Sequence, residues 1–146
     1  MDYQLIGTGT IDAYLKLTYK GKKLKTKVIK QDNNLVPWME QFLIPIEIPV
    51  INNKLTLQVY DQDNMYDELA ATTDLNIKGM LKYDKDNPNL KVKTQCKWIN
   101  LYGAPVGRSG TNTNKMNEHP ESASTWKGRI LVEYWCEDYK LSLIHI

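Results

Sequence analysis

Hydrophobic and polar positions alternate with period two in several separate stretches of this chain, the spacing expected of half-buried strands. From Ala13 to Tyr19, Leu15, Leu17 and Tyr19 fall on one face while Tyr14, Lys16 and Thr18 fall on the other. A Lys20-Gly21 turn separates this stretch from a second one, Lys22 to Lys30. Phe42 to Ile48 is strand-like but carries Pro45, which confines it to an edge or a bulge. Lys54 to Tyr60 alternates most cleanly, with Leu55, Leu57 and Val59 inward. Asp74 to Leu81, Gln95 to Leu101 and Gly128 to Trp135 complete the set. No stretch keeps a 3.6-residue apolar period over three turns. The pattern predicts an all-β chain, an antiparallel sandwich or barrel.

Residues 84–90 are rich in turn formers, and the polar segment between Gly103 and Thr125 predicts a long functional or structureless loop. At 146 residues the chain has the length of one domain and can bury a core without disulfides. Composition narrows the classes further. With 42% hydrophobic and 25% charged residues and a net charge of +2, neither a disordered acidic tail nor a general nucleic-acid binder fits. Cys96 and Cys136 are the only cysteines, and no targeting or membrane-spanning segment precedes or interrupts the pattern. Reduced thiols in a cytoplasmic setting are the expectation.

Charge distribution says more than its sum. Asp61, Asp63, Asp67 and Glu68 put four carboxylates into eight residues, directly after the clearest strand and with no Lys or Arg among them. Acids that close repel and raise one another's pKa, which a cation relieves, and calcium takes six to eight oxygen ligands in flexible geometry. An EF-hand does not fit: counted from Asp61, the position that needs Gly is Tyr66, and the flanks are strands. A solvated acidic turn is the alternative.

In order along the chain, these segments resemble C2 domains. Val59-Tyr60-Asp61-Gln62-Asp63, followed by Asp67-Glu68-Leu69-Ala70, is similar to the family's third calcium-binding loop. Gly9-Thr10-Ile11-Asp12-Ala13-Tyr14-Leu15-Lys16 is similar to its first. Thr26-Lys27-Val28 and Pro37-Trp38-Met39-Glu40-Gln41-Phe42 match two further family segments. The resemblance implies an eight-stranded antiparallel β-sandwich, calcium as the cofactor, and Asp12, Asp61, Asp63 and Asp67 as its ligands. Departures are specific. Ala70 stands where Gly is usual, the third loop is short, and Ile6 occupies the family's other first-loop ligand place, which Asp2 reaches only across a longer loop. The family's first strand should precede loop one, so the chain is expected to start within that loop, as a fragment of a longer protein.

Lys16, Lys20, Lys22, Lys23, Lys25, Lys27 and Lys30 lie in one stretch free of acids. Lysines blunt edge strands; they also attract anionic lipid. The resemblance favours Lys16, Lys23, Lys25 and Lys27 as a site for anionic phospholipids or phosphoinositides; Met65 and Tyr66 at the loop tip either enter the membrane interface, where Tyr is favoured, or pack within the loop. No aromatic set interleaves with the lysines as single-stranded nucleic acid would require.

Lys97-Trp98-Ile99-Asn100-Leu101-Tyr102-Gly103-Ala104-Pro105, then Trp126-Lys127-Gly128-Arg129-Ile130, resembles the ferlins, membrane-anchored proteins with several C2 domains that act in vesicle fusion and membrane repair. Trp98, Tyr102, Trp126 and Trp135 are expected to be core or loop-anchoring aromatics. Residues 1–139 are read as the domain. Residues 140–146 fit no family strand, and Leu-Ser-Leu-Ile-His-Ile resembles translated adapter sequence, so they are read as a tail. His119 and His145 have no metal-motif partners, and neither a phosphate-cradling loop nor a nucleophile elbow occurs, so no enzyme is expected. The expectation is calcium-dependent docking at the cytosolic face of membranes. A calcium-independent protein-interaction domain and the targeting module of a lipid-modifying enzyme are the rivals.

Overall fold

The computed structural model describes residues 2–5, 11–31, 35–46, 50–80, 92–93, 96–103, 125–137 and 141–145. They form β1 (Asp2–Leu5), β2 (Ile11–Tyr19), β3 (Lys22–Lys25), β4 (Ile29–Gln31), β5 (Leu35–Pro37), β6 (Gln41–Pro45), β7 (Lys54–Asp61), β8 (Glu68–Asn76), a helical turn α1 (Ile77–Met80), β9 (Val92–Lys93), β10 (Lys97–Gly103), β11 (Thr125–Glu137) and β12 (Leu141–His145). Every strand pairing is antiparallel, as expected for this β-sandwich.

One sheet runs in the order β3-β2-β7-β8-β10-β11-β1-β5. The second is built on the far half of β11, whose residues from Glu133 to Glu137 pair with β12, which in turn pairs with β6. The long strand β11 therefore belongs to both layers. The core cluster draws on β2, β5, β6, β7, β8, β10 and β11, and Leu15, Leu17, Leu55, Leu57, Leu101 and Ile130 are fully buried in it. Each such aliphatic side chain contributes roughly 1.5–3 kcal/mol by leaving water.

Local chemistry explains the joints. Lys20 and Gly21 both have positive φ (50° and 73°), the geometry of the two-residue hairpin turn that matches strand twist, and Gly21 adopts it at no steric cost. The expected strand from Lys22 to Lys30 is broken after Lys25. Thr26 there accepts the Leu15 amide on its hydroxyl (2.8 Å) while its own amide donates to the Leu15 carbonyl (2.9 Å), so the chain steps off the ladder and resumes as β4. Among the described residues Trp38 is the largest fully buried side chain, and its indole N–H donates to the Ala13 carbonyl at 3.0 Å.

Four expectations shift. Alternation predicts one strand from Asp74 to Leu81; β8 instead starts at Glu68 and ends at Asn76, where the Asn76 carboxamide accepts the Gly79 amide (2.9 Å) and turns the chain into α1. No strand was expected ahead of Ile11, yet Asp2–Leu5 pairs with both β11 and β5. Segment 140–146, read as a tail, holds β12 between β11 and β6. Both strands are too short for alternation to announce them, and distant partners define them. Trp98 is no core residue: it is 43% exposed, on the outward side of β10, with the Arg129 guanidinium 4.3 Å above its ring. Trp126 is half-buried and donates to Asn100 (3.0 Å), Tyr102 is half-buried, and the Trp135 side chain lies outside the described residues. The expected loops at 84–90 and 104–124 also lie outside them.

Replacing Trp38 by Phe should remove the bond to Ala13 and leave a gap, destabilising the fold by about 2–3 kcal/mol. Urea unfolding should show a lower midpoint with an unchanged slope.

Candidate functional site

The register of β2 on β7 builds the acidic end. Ala13 lies opposite Asp61, and Asp61 in turn lies opposite Glu68 on β8. The Asp12 amide donates to Asp61 Oδ1 at 3.0 Å, and the Gln62 amide returns a bond to the Asp12 carbonyl at 2.8 Å. Two chain segments far apart in sequence are thereby stitched at the point where both carry a carboxylate. Asp61 is half-buried, and its carboxyl is pushed above its ordinary value by that burial and by the charges of Asp12, Glu68 and Asp63, while the Asp12 amide opposes the shift. An all-oxygen cluster in which one carboxylate is crowded by three others has the donor chemistry of a hard divalent cation.

The four expected ligands are not brought together equally. Asp12 and Asp61 adjoin each other. Asp63 is exposed, with one oxygen accepting the next residue's amide, Asn64, at 2.6 Å. Asp67 points to a different partner: its Oδ2 accepts the Tyr14 hydroxyl at 2.6 Å. Among the described residues, no group of three or more His, Cys, Asp or Glu side chains is arranged to hold a metal ion. Glu68, which the strand register sets across from Asp61, is the acid that motif matching passed over.

Tyr14 is a second residue that motif matching left without a role. Burial, together with the bond to Asp67, pushes its hydroxyl well above the ordinary tyrosine value, so it remains a donor. Its ring stacks on Tyr60 across the strand pair, with centroids 5.3 Å apart and planes 8° from parallel. Two lysines crown this pair. Lys16 lies 4.6 Å from the centre of the Tyr60 ring and donates to its hydroxyl (3.1 Å), and Lys25 lies 5.5 Å from the centre of the Tyr14 ring.

The lysine stretch does not form one patch. Lys25 is opposite Lys16 and Lys23 is opposite Thr18, which sets these lysines on the outer face of the sheet. Lys22 is opposite Tyr19 and Leu24 is opposite Leu17, the face turned toward the core. Lys27 follows the break in the ladder, where its amide is held by the Glu40 carboxylate (3.2 Å to both oxygens). Met65 and Tyr66 stand at the tip of the acidic loop, 89% and 71% exposed.

Comparison with known proteins bears on the fold. A family model described as the C2 domain matches residues 2–100. Myoferlin of Mus musculus is 24% identical over 134 residues, covering 84% of this chain and 6% of the relative; myoferlin of Homo sapiens is 24% identical over 148 residues, covering 84% and 7%. A GTPase activating protein 1 of Oryza sativa subsp. indica is 31% identical over 74 residues, covering 51% of this chain and 43% of the relative. The chain thus spans a small fraction of the myoferlins it matches and under half of the rice protein.

The crowding at Asp61 has a thermodynamic sign. A raised carboxyl binds more protons folded than unfolded, so stability falls as pH rises from its ordinary 3.8 through the raised value. Asp61→Asn keeps an acceptor for the Asp12 amide and removes the charge. Without divalent cations it should be more stable than the parent at neutral pH, by roughly 0.5 kcal/mol because solvent screens a half-exposed group. Thermal melts across pH 3–7 should show the gain shrinking toward the acid end.

Proposed function

This chain belongs to the C2 domain family, and we propose that it docks on anionic phospholipid membranes in a calcium-dependent way, in membrane trafficking, fusion or repair. The observation that carries the reading is the half-buried Asp61 carboxylate, crowded by Asp12, Asp63 and Glu68 at one end of the sandwich. Asp12 and Asp61 would hold the ion, with Asp63 and the other oxygen of Asp67 approaching from the loop. Bound there, calcium would supply positive charge that cancels the loop's negative field and attracts lipid phosphate.

The chain's own residues do the rest. Lys16, Lys23 and Lys25 present a cationic outer face beside the acidic end, with Lys27 next along the chain, and each lysine near an anionic surface contributes about 1 kcal/mol. Phospholipid or phosphoinositide head groups are the partners this face suits. Met65 and Tyr66 are exposed at the loop tip, where an apolar side chain and an amphipathic ring favour the interface. Similarity to myoferlin supports a role at membranes, at their cytosolic face, and membership of a binding-domain family supports a module that binds without catalysing. Among the described residues no helix is long and apolar enough to cross a membrane.

One observation favours a second reading. The Tyr14 hydroxyl already occupies one oxygen of Asp67, which leaves fewer free ligands for the ion and fits a calcium-independent protein-interaction domain.

Sedimentation with phosphatidylserine-containing vesicles separates the two. Calcium should raise the pelleted fraction, chelator should reverse it, and Asp61→Asn should abolish the difference; equal pelleting with and without calcium would refute the switch. Calcium should also raise the melting temperature in proportion to the logarithm of its concentration. Lys23→Ala should weaken vesicle binding about fivefold with calcium present.

A further inference from the structure

At the end of the sandwich away from the carboxylates, the β2–β3 hairpin and β6 leave an open groove of about 170 Å³. Leu17, Leu24 and Leu55 form its floor, Leu43 one wall, and Lys20 and Lys22 its rim. Leu43 is 50% exposed although it lies in a strand. Among the described strands β3 pairs only with β2, and β6 only with β12, so the groove runs between two sheet edges. The lysines at its rim are distinct from those of the outer face, because β3 turns Lys22 and Leu24 inward and Lys23 and Lys25 outward.

Three features of the groove select an occupant. Pockets that enclose whole small ligands measure about 300–1,000 Å³, so this one has room for a single large side chain. An unpaired strand edge offers a row of backbone donors and acceptors to an added strand. Edge lysines discourage pairing between copies of the same cationic strand, yet they complement a strand that carries carboxylates. We propose that this groove binds an extended acidic peptide segment of a partner protein. A Leu- or Phe-sized side chain seats on Leu17, Leu24 and Leu55, a flanking carboxylate meets Lys22, and the backbone lies along the β3 edge. This surface is independent of the calcium and lipid reading, since it shares no side chain with the carboxylate end or the outer lysines.

The test is an NMR titration of the full ¹⁵N-labelled chain, in chelator and without lipid. The probe is a synthetic seven-residue peptide alternating Glu with Leu and Phe. Amide shifts should concentrate at residues 17–24 and 43–45 and spare 61–68. Lys22→Glu and Leu43→Glu alter exposed side chains, so their spectra should remain those of the folded chain while affinity falls about tenfold. A control peptide with Lys in place of Glu should not bind. The proposal is overturned by shifts centred on residues 61–68, by either variant binding like the parent, or by no binding at about 1 mM. Displacement of the peptide from the groove by monomeric dihexanoyl phosphatidylserine at equal concentration would overturn it in favour of a lipid.

Discussion

The register between β2 and β7 is the constraint on which both the core and the site depend. Leu15 opposite Val59 and Leu17 opposite Leu57 form part of the buried floor of the sandwich. Because strand side chains alternate, a slip of one residue would turn this whole row to solvent, so burial holds the register firmly. The same register, read on the other face, puts Tyr14 on Tyr60 and Lys16 beside Gln58, and at the strand ends it sets Asp12 next to Asp61. The apolar face thus positions the polar one. The acidic end need not hold itself together, and its mutual repulsion is tolerated because the energy that assembles it comes from leucines and valines elsewhere.

Charge is organised by strand geometry more than by sequence proximity. Acids gather where β2, β7 and β8 meet the loop at residues 62–67, and lysines of the outer face follow directly along β2 and β3. The stacked Tyr14–Tyr60 pair lies between them, bonded to Asp67 on one side and covered by Lys16 and Lys25 on the other. Each of these contacts is modest: a cation over a partly exposed ring contributes about 0.5–1 kcal/mol. Their effect is positional. They tie the loop at Asp67 and the lysines of the outer face to one ring pair.

Many of the residues that match the family serve the frame. Thr26 closes the break after β3. Trp38 ties the segment after β5 to β2 through Ala13, and Glu40 caps the Lys27 amide. Met39 between them takes a positive φ of 52°, an unusual conformation for a side chain of its size, imposed by the neighbours that anchor each side. The match over residues 2–100 therefore reports the sandwich directly and the site only through it.

Alternation by itself determined the strands of the core. Ala13–Tyr19 and Lys54–Tyr60 were legible because one face of each is uniformly apolar, and the acidic cluster was legible because its members are neighbours in sequence. Short strands such as β1 and β12, the true limits of β8, and the outward position of Trp98 were not, since distant pairing partners define them. Within the site, Asp12 came from motif order and Glu68 was legible as a member of the acidic run, but strand register set Glu68 across from Asp61, and a side-chain hydrogen bond joined Tyr14 to Asp67. One run of lysines in sequence became two surfaces in space, because the two-residue period of β3 sends alternate side chains to opposite sides of a sheet. A linear sequence records which charges are present; pairing in three dimensions decides which of them share a face.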